Sequence, residues 1–367
     1  MRTSCFGRCG LSERTDQELD IVFCVYFCFI HTCSLSTFLF IVNCVTPILH
    51  TVVRAGLHKG RCATAQQKHF SGQEHEVQGK IVLVTGGTGG IGFETAKGLA
   101  AQGAAITLVG RDPQRGAEAV RQIQQATGNQ AVHYLSGDLS HQAGIEQFAA
   151  AFRQQHERLD VLVNNAGAIF WERKENRDGF EMTFALNHLG YFYLTHLLLP
   201  LLLKSSPARI VNVSSDAHRG GKINFGDLQL ASNYSAWRAY SQSKLANILF
   251  TRELARRLAG HGVTVNTLHP GFVKTDFGNG GGLFSRLFGL LAGVAAISPE
   301  KGAETSIYLA ASPEVATISG EYFDKKRVKQ AAAAATNEAA AQRLWAESMA
   351  LLGIDEPYGG LAADSTP

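Results

Sequence analysis

One stretch of this 367-residue chain constrains its fold more than any other: Lys80-Ile81-Val82-Leu83-Val84-Thr85-Gly86-Gly87-Thr88-Gly89-Gly90-Ile91-Gly92, followed at once by the helix-forming Phe93-Glu94-Thr95-Ala96-Lys97-Gly98-Leu99-Ala100. It reads as a buried strand, a glycine turn and a helix start. A continuous apolar run suits a strand covered on both faces, as in a parallel α/β sheet. Glycines reach backbone conformations closed to other residues, so the turn can be tight. Without side chains at Gly86, Gly90 and Gly92, a diphosphate can approach the backbone and lie against the N–H groups and positive dipole end of the next helix. Glycine clusters also occur in ordinary loops, so dinucleotide chemistry needs support from the rest of the chain.

That support begins with the pattern. From Lys80 onward strand and helix signals alternate almost without pause, the signature of a doubly wound parallel sheet. Strands are expected at 106–109, 131–135, 161–163, 209–213, 263–268 and 321–323. Helices are expected over 114–126, 141–155, 180–203, 235–258 and from Pro299. Pro200 and the Ser205-Ser206-Pro207 break should close the long apolar helix. The alanine-rich stretch 331–352 reads as a covering helix.

Composition bounds the function classes. With 45% hydrophobic and 18% charged residues the chain can bury an ordinary globular core. The net charge is only +3, and no basic run carries interleaved aromatics, so nucleic acid is not an expected partner. All seven cysteines (Cys5, Cys9, Cys24, Cys28, Cys33, Cys44, Cys62) fall in the first 62 residues. They show no CxxC or Cys/His ligand spacing, so no metal site is expected. A cysteine-free remainder does not call for an oxidising compartment, and a cytoplasmic location is expected.

Residues 1–76 form a leader of different composition. No Asp, Glu, Lys or Arg occurs between Ile21 and Val53, and residues 21–45 are long enough to cross a bilayer, which takes ~20 apolar residues. Membrane anchoring through 21–45 is one reading. The other is that the leader is a translated upstream region and that the functional chain begins near Val77 or Gly79. A catalytic domain over 77–355 and a flexible tail over 356–367 complete the expected organisation.

In doubly wound sheets ligands bind outside the carboxyl ends of the strands. The second strand ends in Val109-Gly110-Arg111, with a guanidinium suited to a 2′-phosphate and no carboxylate there to grip ribose hydroxyls. This favours NADP over NAD. The third ends at Asp138, which could accept from an adenine amino group while Leu139 packs on the ring. The fourth ends in Asn164 and Asn165, whose amides could cap the strand turn. Tyr240 and Lys244, at i and i+4, share a helix face, so the ammonium can lower the phenol pKa from about 10. Ser214-Ser215, after the fifth strand, could hold a substrate carbonyl oxygen beside that phenol, although such a pair is also an ordinary turn.

Taken in order, Thr85-Gly86, Gly90-Ile91-Gly92, Asn164-Asn165-Ala166-Gly167, Asn187, Ser214-Ser215, Tyr240-Ser241-Gln242-Ser243-Lys244 and Pro270-Gly271-Phe272-Val273-Lys274-Thr275 resemble the short-chain dehydrogenase/reductase family. The finer likeness is to its retinol dehydrogenase and WW-domain oxidoreductase-like branch, through Leu186-Asn187-His188-Leu189-Gly190, Val213 to His218, and Ser243-Lys244-Leu245-Ala246-Asn247. The resemblance implies a single Rossmann-type α/β domain and an NADP(H)-dependent enzyme interconverting a carbonyl and an alcohol. It implies Tyr240 as general acid/base, Lys244 as its partner and holder of the nicotinamide ribose, and Ser215, the second of the pair, on the substrate oxygen. Asn187 would hold a relay water. Gly86, Thr88, Gly90, Ile91, Gly92, Arg111, Asp138, Leu139, Asn165, Pro270, Gly271 and Thr275 would line the cofactor.

The region 277–297 aligns with the family's substrate lid, and its Phe284, Leu287, Phe288, Leu290 and Leu291 suggest a lipophilic, retinal-like or aliphatic substrate; core or dimer packing explains them equally well. His188, His218 and His269 read as structural. The resemblance leaves a homodimer or tetramer open. A steroid-, sugar- or polyketide-type ketone reductase is the alternative within enzymes. The alternative outside them is a non-catalytic NADP(H) sensor, which would have no need of a proton relay.

Overall fold

The computed structural model describes residues 77–273, 297–355 and 358, all within one unit, Gly72–Pro367. The leader, the membrane-anchor candidate 21–45, Thr275 and the apolar residues of the lid lie outside the described residues. Strand β1 (Ile81–Thr85) leads through the glycine turn into helix α1 (Gly90–Ala100). There follow β2 (Ala105–Gly110), α2 (Pro113–Thr127), β3 (Val132–Ser136), α3 (Gln142–Gln155) and β4 (Val161–Asn164). Helix α4 spans Met182–Lys204, then come β5 (Ala208–Val213), α5 (Ala236–Arg257), β6 (Val263–His269), α6 (Pro299–Ala311), β7 (Tyr322–Asp324), β8 (Arg327–Val328) and α7 (Glu338–Leu351). The sheet has eight strands in the order β3-β2-β1-β4-β5-β6-β7-β8. Neighbours pair in parallel except β7 and β8, a short antiparallel edge hairpin.

Side-chain alternation explains why the strands are apolar without a break. Val82 and Val84 of β1 and Val161 and Val163 of β4 pack on the α1, α2 and α6 side with Leu99, Ile123 and Leu309. Leu83 and Leu162, one residue out of phase, pack on the other face with Phe148 of α3, Leu198 of α4 and Leu249 of α5. Both faces are covered, so neither set can be polar. Helix α2 is bounded as its sequence dictates. Asp112 caps it by accepting from the N–H groups of Gln114 (2.9 Å) and Arg115 (3.1 Å), Pro113 takes the first position, and Gly128 closes it at φ 74°.

Several expectations are corrected. Pro200 does not end α4, because its ring faces solvent and the helix runs on to Lys204. Apolar enough to cross a bilayer, α4 is instead mostly buried as a core helix. The stretch 331–352 is not one helix. A 3₁₀ turn, Ala333–Thr336, comes first, and α7 starts after Asn337, whose side chain accepts from the Ala340 N–H. Tyr358, in the tail expected to be flexible, is 3% exposed. It donates to the Phe192 carbonyl and packs against Trp345.

Candidate active site

The glycine turn is shaped by two opposing demands, tightness and access. Gly86 (φ 64°) and Gly90 (φ 56°) lie in the left-handed region, where a side chain is strained. A Cβ on Gly92 would lie 2.4 Å from the Gly86 carbonyl oxygen and 2.5 Å from Asn165 Nδ2, so the first turn of α1 is pressed onto the end of β1. Asn165 holds that seam, as its placement after β4 suggested. Its N–H donates to Thr85 Oγ1 (2.8 Å) and its side chain to the Thr85 carbonyl (2.8 Å). A Cβ on Gly302 of α6 would meet both the Pro270 carbonyl oxygen and Ile91, and one on Gly271 (φ 88°) would run into Ile297. Asn164 points away from the cleft and donates to Thr195 and Asn212 inside the fold.

Among the described residues, the N-terminus of α1 has no side-chain cap and no acidic residue in its first turn. Its free N–H groups suit an anion. The Arg115 guanidinium lies 3.1 Å from where a Cβ on Gly89 would sit, so a cation overhangs the turn. The sequence reading missed Arg115. The signal was its place one helical turn after Arg111, behind the Asp112 cap. Thr88 packs against Gly110 at the end of β2, next to Arg111. Asp138 is close enough to feel Arg111. Burial alone would raise its pKa, but hydrogen bonds from the Ser140 hydroxyl (2.7 Å) and N–H (3.0 Å), with the charges of Arg111 and His141, hold the carboxyl below its usual range. Leu139 is 7% exposed and belongs to the core.

The catalytic candidates converge on α5. Tyr240 and Lys244 share a face, with Nζ 5.6 Å from the phenol ring centroid. The serine pair divides its tasks. Ser214, 1% exposed, donates to the Lys244 carbonyl (2.7 Å) and ties β5 to α5, while the Ser215 hydroxyl hydrogen-bonds the Tyr240 phenol. Asn187 sits in a π-helical turn of α4 (Ala185–Leu189). Its amide accepts from the Ala168 N–H (2.8 Å) and donates to the Ala168 carbonyl (2.9 Å) and to Ser243 Oγ (3.0 Å). The side chain is thus a clamp between the loop after β4 and α5. Ser243 was not singled out from sequence.

One electrostatic expectation is reversed. Burial pushes the Tyr240 phenol up to about 12, against a smaller downward pull from the Ser215 hydroxyl. Lys244 is 3% exposed and burial pulls it down to about 7. Its Nζ donates to the Val213 carbonyl (3.0 Å) rather than to the phenol. Desolvation of both groups outweighs their mutual effect.

A doubly wound parallel sheet whose carboxyl edge joins an uncapped glycine turn to half-buried Ser215 and Tyr240 and a buried Lys244 defines a Rossmann-type oxidoreductase acting on CH–OH groups. The chain belongs to the short-chain dehydrogenase family, whose sequence pattern matches residues 80–280. Human (Homo sapiens) retinol dehydrogenase 13 is 45% identical over 287 residues, 77% of this chain and 87% of that protein, which places the chain in the retinol dehydrogenase-like branch. An uncharacterized protein from Mycobacterium paratuberculosis shares the fold at TM-score 0.63 and 33% identity, over 77% of this chain and 97% of its own. The Pseudomonas aeruginosa RhlG/NADP active-site complex matches at TM-score 0.54 and 30% identity, over 68% and 95%.

Proposed function

We propose that the protein uses NADP(H) to interconvert a carbonyl and an alcohol on a small lipophilic molecule, with Tyr240 as the proton donor and acceptor. The convergence of Ser215 and Lys244 on Tyr240 carries this reading. The glycine cradle and the uncapped end of α1 fit a dinucleotide diphosphate. When bound, the cofactor exchanges hydride with the substrate carbon. At the oxygen, Ser215 donates a hydrogen bond, and Tyr240, which holds its proton at neutral pH, supplies that proton during reduction. Lys244, titrating near neutrality, would donate as an ammonium to the ribose hydroxyl oxygens and return a proton toward the phenol. Gly271 and Pro270 would wall the nicotinamide side, and Thr275 remains assigned there by resemblance alone. Trp237, one turn before Tyr240 with ring centroids 6.0 Å apart, and Phe272, 45% exposed after β6, support an apolar substrate. The human relative's name points the same way, to a retinol-like alcohol.

NADP is favoured over NAD because the nearest carboxylate after β2, Asp112, is committed to capping α2, leaving Arg111 and Arg115 to meet a 2′-phosphate. Exchanging both arginines for alanine should raise KM for NADPH by roughly 10- to 100-fold, the worth of one or two charge-assisted hydrogen bonds, and leave KM for NADH nearly unchanged. Equal losses with both cofactors would remove the 2′-phosphate assignment. The whole reading is tested by following NADPH and NADH oxidation by the full chain over aldehydes and ketones graded in chain length and ring count. Tight NADPH binding without turnover of any of them would favour the sensor alternative.

The raised phenol pKa sets the pH dependence. Reduction needs the protonated phenol, which is present throughout neutral pH. Oxidation needs the phenolate, so kcat for alcohol oxidation should climb between about pH 7 and about pH 10 while kcat for reduction does not. Parallel profiles in both directions would contradict proton transfer through Tyr240.

A further inference from the structure

We propose that His218 is a positioning residue for Ser215, and that the backbone N–H of Ala332 selects the tautomer in which it does so. The inference rests on the oxidoreductase reading of Ser215 and Tyr240.

Ser215 opens a short 3₁₀ turn, Asp216–Gly220, and its hydroxyl oxygen accepts from the Ala217 N–H (3.2 Å). With that lone pair engaged, the hydroxyl proton is directed to the Tyr240 phenol. The Ser215 carbonyl is gripped from behind by two groups of one residue, the His218 N–H (3.1 Å) and the His218 ring nitrogen Nδ1 (2.7 Å). The other ring nitrogen, Nε2, lies 3.1 Å from the Ala332 amide nitrogen. An amide N–H can only donate, so Nε2 must present its lone pair and Nδ1 must carry the proton given to the serine carbonyl. One neutral tautomer satisfies both bonds; no other protonation state does.

Ala332 is held in register by its neighbours. Lys329 Nζ reaches the Asp216 carboxylate (3.3 Å) and the Gln330 carbonyl accepts from Arg219 (2.9 Å). Tyr322 donates to Asp216 (2.8 Å) and packs edge-on to the His218 ring at 4.9 Å. Three residues of the turn that follows the catalytic serine are thereby tied to the segment just after β8, more than a hundred residues further along the chain. The His218 ring is fully buried, and the charged or titratable groups around it are Arg219, Asp216, His269 and Tyr322. Burial lowers its pKa, which keeps the ring neutral at neutral pH. Acid would place a second proton on Nε2, opposite the Ala332 N–H, and two donors would face each other.

Two variants of the full chain test this. Leucine at position 218 removes both ring bonds while keeping the backbone N–H bond to the Ser215 carbonyl and the bulk. His218→Leu should lower kcat by roughly 10- to 100-fold, as misplacement of a catalytic group does, with KM for NADPH unchanged. His218→Asn, which retains a donor toward the serine carbonyl, should recover much of that loss. Ala332→Pro deletes only the N–H, at a residue whose φ of −61° already suits proline. It should move the acid limb of the kcat profile to higher pH, because protonation of His218 is no longer opposed.

Wild-type kcat in His218→Leu, or an acid limb unmoved in Ala332→Pro, would overturn the proposal. So would folded, NADPH-binding His218→Leu and His218→Asn proteins with equal losses. If His218→Leu does not fold, the proline variant decides alone. A wild-type protein without turnover would instead overturn the reading of the site itself.

Discussion

Replacing Tyr240 with phenylalanine is expected to lower kcat by roughly 10²- to 10⁴-fold, the usual worth of a general acid/base, while NADPH binding stays within a few-fold of wild type. The substitution removes one oxygen from a half-buried ring and leaves its contact with Trp237 in place. Its cost to stability is about 1 kcal/mol, that of one hydrogen bond with the Ser215 hydroxyl. No part of the glycine turn touches the phenol in any contact described above, so cofactor affinity reports an intact cradle. Substantial residual turnover, with NADPH bound normally, would mean that the proton comes from another group. The nearest rival is Tyr191, a fully buried phenol whose ring lies 5.9 Å from Lys244 Nζ and whose hydroxyl has no hydrogen-bond partner among the described residues.

The second large effect is expected at Gly92. A Cβ there would sit inside contact distance of the Gly86 carbonyl and the Asn165 amide. Neither neighbour can move cheaply. Gly86 is fixed in a left-handed turn, and Asn165 is bonded to both the side chain and the carbonyl of Thr85. Gly92→Ala should therefore open the seam between β1 and α1, lowering stability by about 1–3 kcal/mol, the range for overpacking a close-packed site. NADPH affinity should fall by at least roughly tenfold, because diphosphate recognition depends on the same backbone. Gly226→Ala is the control. A Cβ there meets nothing closer than Asn224 Oδ1 at 3.7 Å, and its backbone is not left-handed, so thermal midpoint and affinity should hardly change. If Gly92→Ala behaves like Gly226→Ala, the turn is looser than its contacts indicate and the cradle assignment fails.

Much of the fold was legible because its signals are local. A strand buried on both faces must be apolar throughout, a tight turn must be glycine, and a helix that starts at Asp112-Pro113 carries its cap beside it. Those rules placed the strands β1 to β7 of the parallel sheet and the helices between them. They misplaced only details such as Pro200, whose tolerance depends on which way the ring faces. The edge hairpin partner β8 was missed because two residues carry no periodicity.

The site was legible to a smaller depth. Residue types at strand ends and the i, i+4 pair on α5 marked Tyr240, Lys244, Ser215 and the glycine turn, since those placements follow from strand and helix geometry alone. Arg111 was visible in the same way. Arg115 was not, because its reach back to Gly89 depends on how α2 packs.

What the sequence by itself determined is the doubly wound sheet, the dinucleotide-type turn and the family, because each is written in short-range spacing and residue type. What only the tertiary structure decided is how the groups behave. Ser214 faces α5 while Ser215 faces the phenol, Asn187 clamps a loop, burial raises Tyr240 and lowers Lys244, and Ala332 sets the protonation of His218 from the far end of the domain. Desolvation and hydrogen-bond selection come from contacts between residues distant in the chain, and no local pattern encodes which of those contacts will form.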